Sequence, residues 1–199
     1  YFFIAFLHTI CLSCTYYRQH HVLSVTGITN RCKNYDTKAF CLERTTTMLL
    51  SEKERTVIED LQTQEKSCIE KYGWYAGQAR DPELKNLFQT LQEKERTHLT
   101  SLENVLQGHV PSCNCNDHDG CCYTPKATYT GMTASDDKLQ DAFLATDCIA
   151  TEKLVSSEYN TEVFAFGSSD IRKLLADIQI EEQNHAEMLY KYKVANNMA

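Results

Sequence analysis

The sequence predicts an all-α protein: a four-helix bundle made from two copies of one helix hairpin, preceded by an irregular N-terminal extension. Three observations predict it. Only 7 Gly and 3 Pro occur in 199 residues, so few positions force a break in a long helix. Apolar residues recur at a spacing of about 3.6 over four long stretches. The second pair of stretches aligns with the first, without a gap, at an offset of 87 residues.

Residues 1–47 stand apart from the rest. An apolar run over residues 1–17 is interrupted by His8, and any period is then lost through His20, His21, Asn30 and Asn34. A secretory signal would place basic residues before the run and small residues at a cleavage site after it, and neither is found. The run is barely long enough for a membrane span and contains His8, Ser13 and several Thr and Cys, which disfavours one. Residues 1–47 are therefore read as upstream sequence or a poorly ordered extension, with Met48 opening the folded body, residues 48–199.

Ser51 followed by Glu54 is a capping box, in which each side chain satisfies a backbone N–H that the first helical turn leaves orphaned. The first helix then follows Val57, Ile58, Leu61, Cys68, Tyr72, Tyr75, Ala76 and Ala79. Asp81 and Pro82 start the second, since Asp accepts from orphan N–H groups and Pro at the first position loses no hydrogen bond. That helix runs along Leu84, Leu87, Phe88, Leu91, Leu99, Leu102 and Leu106 and stops at Gly108, where a left-handed cap forms readily. A Cys-rich linker, residues 109–134, crosses to the second hairpin, its stretch from Tyr123 through Pro125 to Tyr129 extended. Ser135 and Asp136 open a third helix along Leu139, Phe143, Leu144, Cys148, Val155, Tyr159, Val163 and Phe166, and Gly167 and Ser168 break it. The fourth carries Ile171, Leu174, Leu175, Ile178, Leu189 and Tyr192, with Lys191 and Lys193 near its C-terminal dipole. The hairpins are thus residues 51–108 and 135–195.

The formal net charge is −7, and from Met48 onward 15 Lys and Arg face 25 Asp and Glu. So acidic a body excludes a phosphate-backbone partner, which requires clustered cations. The ten cysteines do not form the pattern of a small disulfide scaffold. Cys68 and Cys148 fall within helical periods and read as buried thiols.

The offset of 87 superimposes chemistry as well as periodicity. Glu65 falls on Glu152, Lys66 on Lys153, Tyr72 on Tyr159, Leu84 on Ile171, Lys85 on Arg172, Glu95 on Glu182 and His98 on His185. Apolar matches alone would be expected of any two amphipathic helices, but matched Glu and His would not. Each half offers one Glu on its first helix and a Glu-x-x-His on its second, the arrangement of di-iron and di-manganese carboxylate bundles. Residues three apart on a helix point the same way, so one Glu and one His reach a common ion while a Glu of the neighbouring helix completes or bridges the shell. Glu65, Glu95, His98, Glu152, Glu182 and His185 are therefore the candidate ligands of two Fe or Mn ions.

The plainer reading is a solvated Glu-rich helix, the usual fate of a single Glu-x-x-His. Position argues against it. At about 100° per residue, Glu95 and His98 lie within the arc of Leu84, Leu87, Phe88, Leu91 and Leu102, and Glu182 and His185 within that of Ile171, Leu174, Ile178 and Leu189. Glu65 and Glu152 are expected at the edges of their arcs. Four carboxylates facing one core cost several kcal/mol each unless protons, cations or metal neutralise them. Metal is the economical answer, and a vestigial polar layer held by protons is the alternative.

Thr151-Glu152-Lys153, the start Asp81-Pro82-Glu83-Leu84 and the ending Glu181-Glu182-Gln183-Asn184-His185-Ala186-Glu187 resemble the coat-F family of endospore coat proteins, which is grouped with the ferritin-like superfamily. The similarity covers most of residues 51–192. The resemblance implies a ferritin-like bundle in or near the endospore coat, with other coat proteins or further copies of itself as partners. All six candidate ligands match the wider ferritin-like pattern.

Tyr72 and Tyr159 lie about two turns beyond Glu65 and Glu152 on the same face. Core packing is their commoner role, donation to a ligand carboxylate or electron transfer the other. In the linker, Cys113, Cys115, His118, Cys121 and Cys122 offer zinc-compatible donors at a spacing unlike paired Cys-x-x-Cys. A zinc clip, a cross-link to neighbouring chains and a plain loop all remain open there. Two functions follow: a structural coat component, or a redox enzyme of catalase, peroxidase or oxidase type working through the two metals.

Overall fold

The computed structural model describes residues 49–112, 118–131 and 134–199. The expectations for residues 1–47, and for Cys113 and Cys115 in the linker, lie outside the described residues.

Helix α1 (Glu52–Gln78) begins at the capping box: Glu54 N–H donates to Ser51 Oγ at 3.2 Å, and Ser51 N–H donates to Glu54 Oε2 at 2.9 Å. Helix α2 (Pro82–Leu106) starts at Asp81, whose carboxylate accepts from Glu83 N–H at 2.9 Å. It ends at Gly108, which adopts φ 84° as a left-handed stop. Helix α3 (Asp119–Cys122) is a single turn within the linker, where the sequence suggested none. Helix α4 (Asp136–Glu162) is capped by Ser135, and its end tightens into a 3₁₀ turn at Val163–Ala165 rather than continuing as α-helix to the Gly167 break. Helix α5 (Ser169–Ala195) is capped by Ser168, which accepts from Ile171 N–H.

α1 pairs with α2 and α4 with α5, and the hairpins meet through α1 against α4 and α2 against α5. Cross-helix bonds fix the directions. Gln140 reaches the carbonyl of Gln78, Lys71 reaches Asp147 and Tyr159 reaches Glu65, so α4 runs antiparallel to α1. Tyr192 donates to Asp81 and His98 meets Glu181, so α5 runs antiparallel to α2. α2 and α4 consequently point the same way, and the linker must travel the length of the bundle to join them. Thr128 and Tyr129 pin that crossing by donating their N–H groups to Asn196 Oδ1.

Apolar side chains form two clusters with a polar layer between them. One holds Ile58, Leu61, Leu102, Val105, Ile171 and Leu174; the other holds Ala145, Cys148, Leu189, Tyr192, Leu84 and Leu87. In that order the 87-residue offset pairs each member of one set with a member of the other, so the repeat exchanges the two cores about the layer between them. Cys68 and Cys148 are buried, as their periodicity implies.

Two expectations are corrected. Leu139 and Phe143 are 58% and 67% exposed instead of packed. The buried seam of α4 runs through Asp141, Leu144, Cys148, Glu152, Val155 and Tyr159, and Phe143 stands about 100° from Leu144 around the helix. Glu65 and Glu152, expected at the edges of their arcs, are 0% and 1% exposed. Among the described residues, no helix is long and apolar enough to cross a membrane.

Candidate metal centre

The polar layer consists of the six side chains that the repeat brings into register. Glu65 comes from α1, Glu95 and His98 from α2, Glu152 from α4, and Glu182 and His185 from α5; none is more than 2% exposed. The three-residue spacing directs Glu and His of each Glu-x-x-His into the same space. The structure brings all six together.

The geometry repeats the two-fold relation of the sequence. His98 Nδ1 lies 3.1 Å from Glu182 Oε1, 3.4 Å from Glu95 Oε2 and 3.8 Å from Glu65 Oε2. His185 Nδ1 lies 3.0 Å from Glu95 Oε1, 3.4 Å from Glu182 Oε2 and 3.6 Å from Glu152 Oε2. The two imidazoles stack with centroids 5.6 Å apart and planes 17° from parallel. Two ligand sets result: Glu65, Glu95, His98 and Glu182 in one, Glu95, Glu152, Glu182 and His185 in the other, the ligand atoms of each within 4.8 Å of one another. Glu95 and Glu182 belong to both.

These contacts leave the layer unsatisfied. Each of the six residues retains at least one buried nitrogen or oxygen without a hydrogen-bond partner, including both oxygens of Glu95 and of Glu182. Buried polar atoms are nearly always partnered, and a cation could satisfy orphans concentrated in one layer. The donors are oxygen-rich with two imidazole nitrogens, a set suited to Fe or Mn. The residues present therefore fit a pair of divalent cations.

Electrostatics tell the same story. Burial, reinforced by the charge of Glu182 and Glu95, pushes Glu65 and Glu152 well above the usual carboxylate range. Burial alone would lower His98 and His185, but the surrounding carboxylates outweigh it and carry both well above the usual imidazole range. For Glu95 and Glu182 burial acts upward too, yet the two imidazoles bring Glu95, and a hydrogen bond with Glu152 together with the imidazoles brings Glu182, below the ordinary carboxylate value. The upward shifts favour the protonated forms of Glu65, Glu152, His98 and His185 in the layer.

Around this layer the structure adds supports. Tyr72 and Tyr159 are both buried, and their hydroxyls donate across the hairpin interface: Tyr72 of α1 to Glu152 of α4, and Tyr159 of α4 to Glu65 of α1. Their packing and donor roles, alternatives in the sequence, are fulfilled together. Glu181 is a participant that sequence reasoning missed. Its Oε2 accepts from His98 Nε2 at 2.8 Å. Its counterpart at the offset of 87 is Lys94, so matching the repeats passes over it. Asp141 was missed as well. Fully buried, it accepts the backbone N–H groups of Arg80 and Asp81 at 2.9 and 2.8 Å and the Tyr129 hydroxyl at 2.7 Å, tying the α1–α2 turn to α4.

The linker donors are arranged differently. Cys121 Sγ lies 3.8 Å from Cys122 Sγ and 3.9 Å from His118 Nδ1, and both thiols are exposed. Helix α3 is clamped to α5 by Gly120 N–H donating to Asn184 Oδ1 and by Lys191 donating to the carbonyls of Gly120 and Cys121. Gly120 packs closely there: a Cβ would stand 2.6 Å from Glu187 Oε2, so that side chain would have to move. Among the described residues, only the two Glu/His sets converge tightly enough to hold an ion.

Set against known proteins, residues 140–198 match the family model of the Coat F domain. The match takes in most of the second hairpin, including Glu152, Glu182 and His185, and leaves the first hairpin related to it through the internal repeat. No curated protein and no solved structure matches the chain.

Proposed function

From the match of residues 140–198 to the Coat F domain, we propose that this protein is an endospore coat component whose bundle holds two Fe or Mn ions in one carboxylate-bridged centre. The supporting observation is the set of orphaned, buried Glu and His atoms facing one another from four helices. Bound there, a metal pair supplies positive charge to the four carboxylates and two redox equivalents to any peroxide or dioxygen that reaches it. The chain's own part is to position: Glu65 and Glu152 serve one ion each, Glu95 and Glu182 serve both, and the two histidines present Nδ1. Tyr72 and Tyr159 hold the first-helix Glu of the opposite hairpin, so the site is complete only when the hairpins are docked. Metal would then lock a small bundle shut, a property suited to a durable shell.

The exposed Cys121 and Cys122 support cross-linking to neighbouring coat proteins or to further copies of the chain. A second reading, turnover of peroxide or dioxygen, draws on the two carboxylates shared between the ligand sets. Complete enclosure of the six side chains restricts any such turnover to a very small substrate.

Elemental analysis of the purified full-length chain after anaerobic loading with Fe(II) or Mn(II) tests the centre. About two ions per chain are expected, as in other carboxylate bundles; less than about a tenth of an ion removes it. Peroxide consumption by the loaded protein decides between the readings, and a fluorescent fusion in sporulating cells tests residence in the coat.

A further inference from the structure

We infer that the two cation positions are inequivalent: the position formed by Glu65, Glu95, His98 and Glu182 binds first and more tightly, with Glu181 as its positioning residue. This rests on the dinuclear reading above and adds an order and a cause.

The inner ligands are related almost perfectly by the repeat, but their surroundings are not. His98 Nε2 is satisfied by Glu181 at 2.8 Å, whereas His185 Nε2 is buried without a partner. The residue related to Glu181 by the offset is Lys94, and its ammonium turns away to pair with Asp119 of α3. One half thus carries a carboxylate behind its histidine and the other carries none.

The consequence is a difference in how each imidazole is prepared. A carboxylate that accepts Nε2–H fixes the tautomer, leaves the Nδ1 lone pair aimed at the ion, holds the ring plane and makes the ring a stronger donor. His98 has this support before any ion arrives. His185 has no such partner, so its tautomer and orientation are set only when the ion binds, and its buried N–H is left unsatisfied. Outer partners of this kind are worth about 10- to 100-fold in metal affinity. Glu181 is itself 26% exposed, which makes it replaceable without opening the core.

The test is Mn(II) titration of the metal-free, full-length chain, followed by calorimetry and electron paramagnetic resonance. In the wild type the first ion is expected to bind about 10- to 100-fold more tightly than the second. At one equivalent the spectrum should then be that of an isolated ion, with coupling between ions growing in only during the second equivalent. Glu181→Leu should weaken the first step alone, by about 10- to 100-fold, until the two steps merge. Glu181→Gln, whose amide oxygen still accepts from Nε2–H, should fall between. Urea midpoints of the metal-free variants report any loss of folding separately. Equal affinities in the wild type, or equal weakening of both steps by Glu181→Leu, would overturn the inequivalence while leaving the dinuclear centre standing. No binding of Mn(II), and none of Fe(II) in a parallel anaerobic titration, would bring down both.

Discussion

The hydroxyl of Tyr72 donates to Glu152 across the seam between the hairpins, and the 87-residue repeat reproduces the bond in the opposite sense with Tyr159 and Glu65. Each hairpin thereby holds in place a candidate ligand of the other. Tyr72→Phe and Tyr159→Phe keep the ring and remove only this bond, leaving a buried carboxylate oxygen without its donor. Each is expected to destabilise the metal-free fold by about 1–3 kcal/mol in urea denaturation, and the double variant by more than either alone.

The sharing of Glu95 and Glu182 between the two ligand sets makes a sharper prediction. Glu95→Ala or Glu182→Ala should abolish binding of both ions, because each takes a ligand from both. Glu65→Ala and Glu152→Ala should each retain about one ion per chain, since each belongs to a single set. Elemental analysis of the four variants after identical loading distinguishes this pattern from a site in which every ligand contributes alike.

Acidity should act on the metal-free chain in a defined direction. Glu65, Glu152, His98 and His185 all have folded values above their unfolded ones, so the folded state binds more protons. The stability they contribute is present at low pH and lost as pH rises through the raised values. Glu95 and Glu182, held below the ordinary value, act oppositely and lose their contribution as pH falls through the carboxylate range. Metal-free protein should therefore be most stable in the acid range, near the ordinary carboxylate value, and melt at progressively lower temperature as pH rises through neutrality and above. Bound cations replace the protons, so saturating Mn(II) should flatten the alkaline limb. A melting temperature that rises with pH in chelator would contradict the prediction.

Asp141 is expected to matter to folding and not to the centre. Asp141→Ala strands the N–H groups of Arg80 and Asp81, the latter buried, at the α1–α2 turn and frees the Tyr129 hydroxyl. A loss of roughly 2–4 kcal/mol in urea denaturation should follow, with about two ions still bound once the chain is folded.

Much of this molecule is legible in one dimension, because helix periodicity and caps are local. Ser51 with Glu54, Asp81 with Pro82, Gly108, Ser135 and Ser168 mark helix boundaries through bonds that span no more than a few residues. The six-residue layer is legible for another reason: duplication wrote the same Glu and His pattern twice, at a spacing that only a shared fold retains.

What the linear order could not convey lies in the contacts between helices. The packing of α4 against its neighbours decided that Leu139 and Phe143 face outward while Asp141 is buried, since three residues so close in sequence are assigned to core or solvent by the neighbour they meet. The crossing of Tyr72 and Tyr159 to opposite hairpins depends on the antiparallel docking of α1 and α4. Glu181 was hidden because its role arises where the repeat fails, opposite Lys94. The sequence by itself thus determined the helices, their duplication and the inward-facing acids and imidazoles, all products of short-range spacing. Tertiary structure alone decided which groups stand behind each ligand, because a second layer of hydrogen bonds is made between helices and leaves no period along a chain.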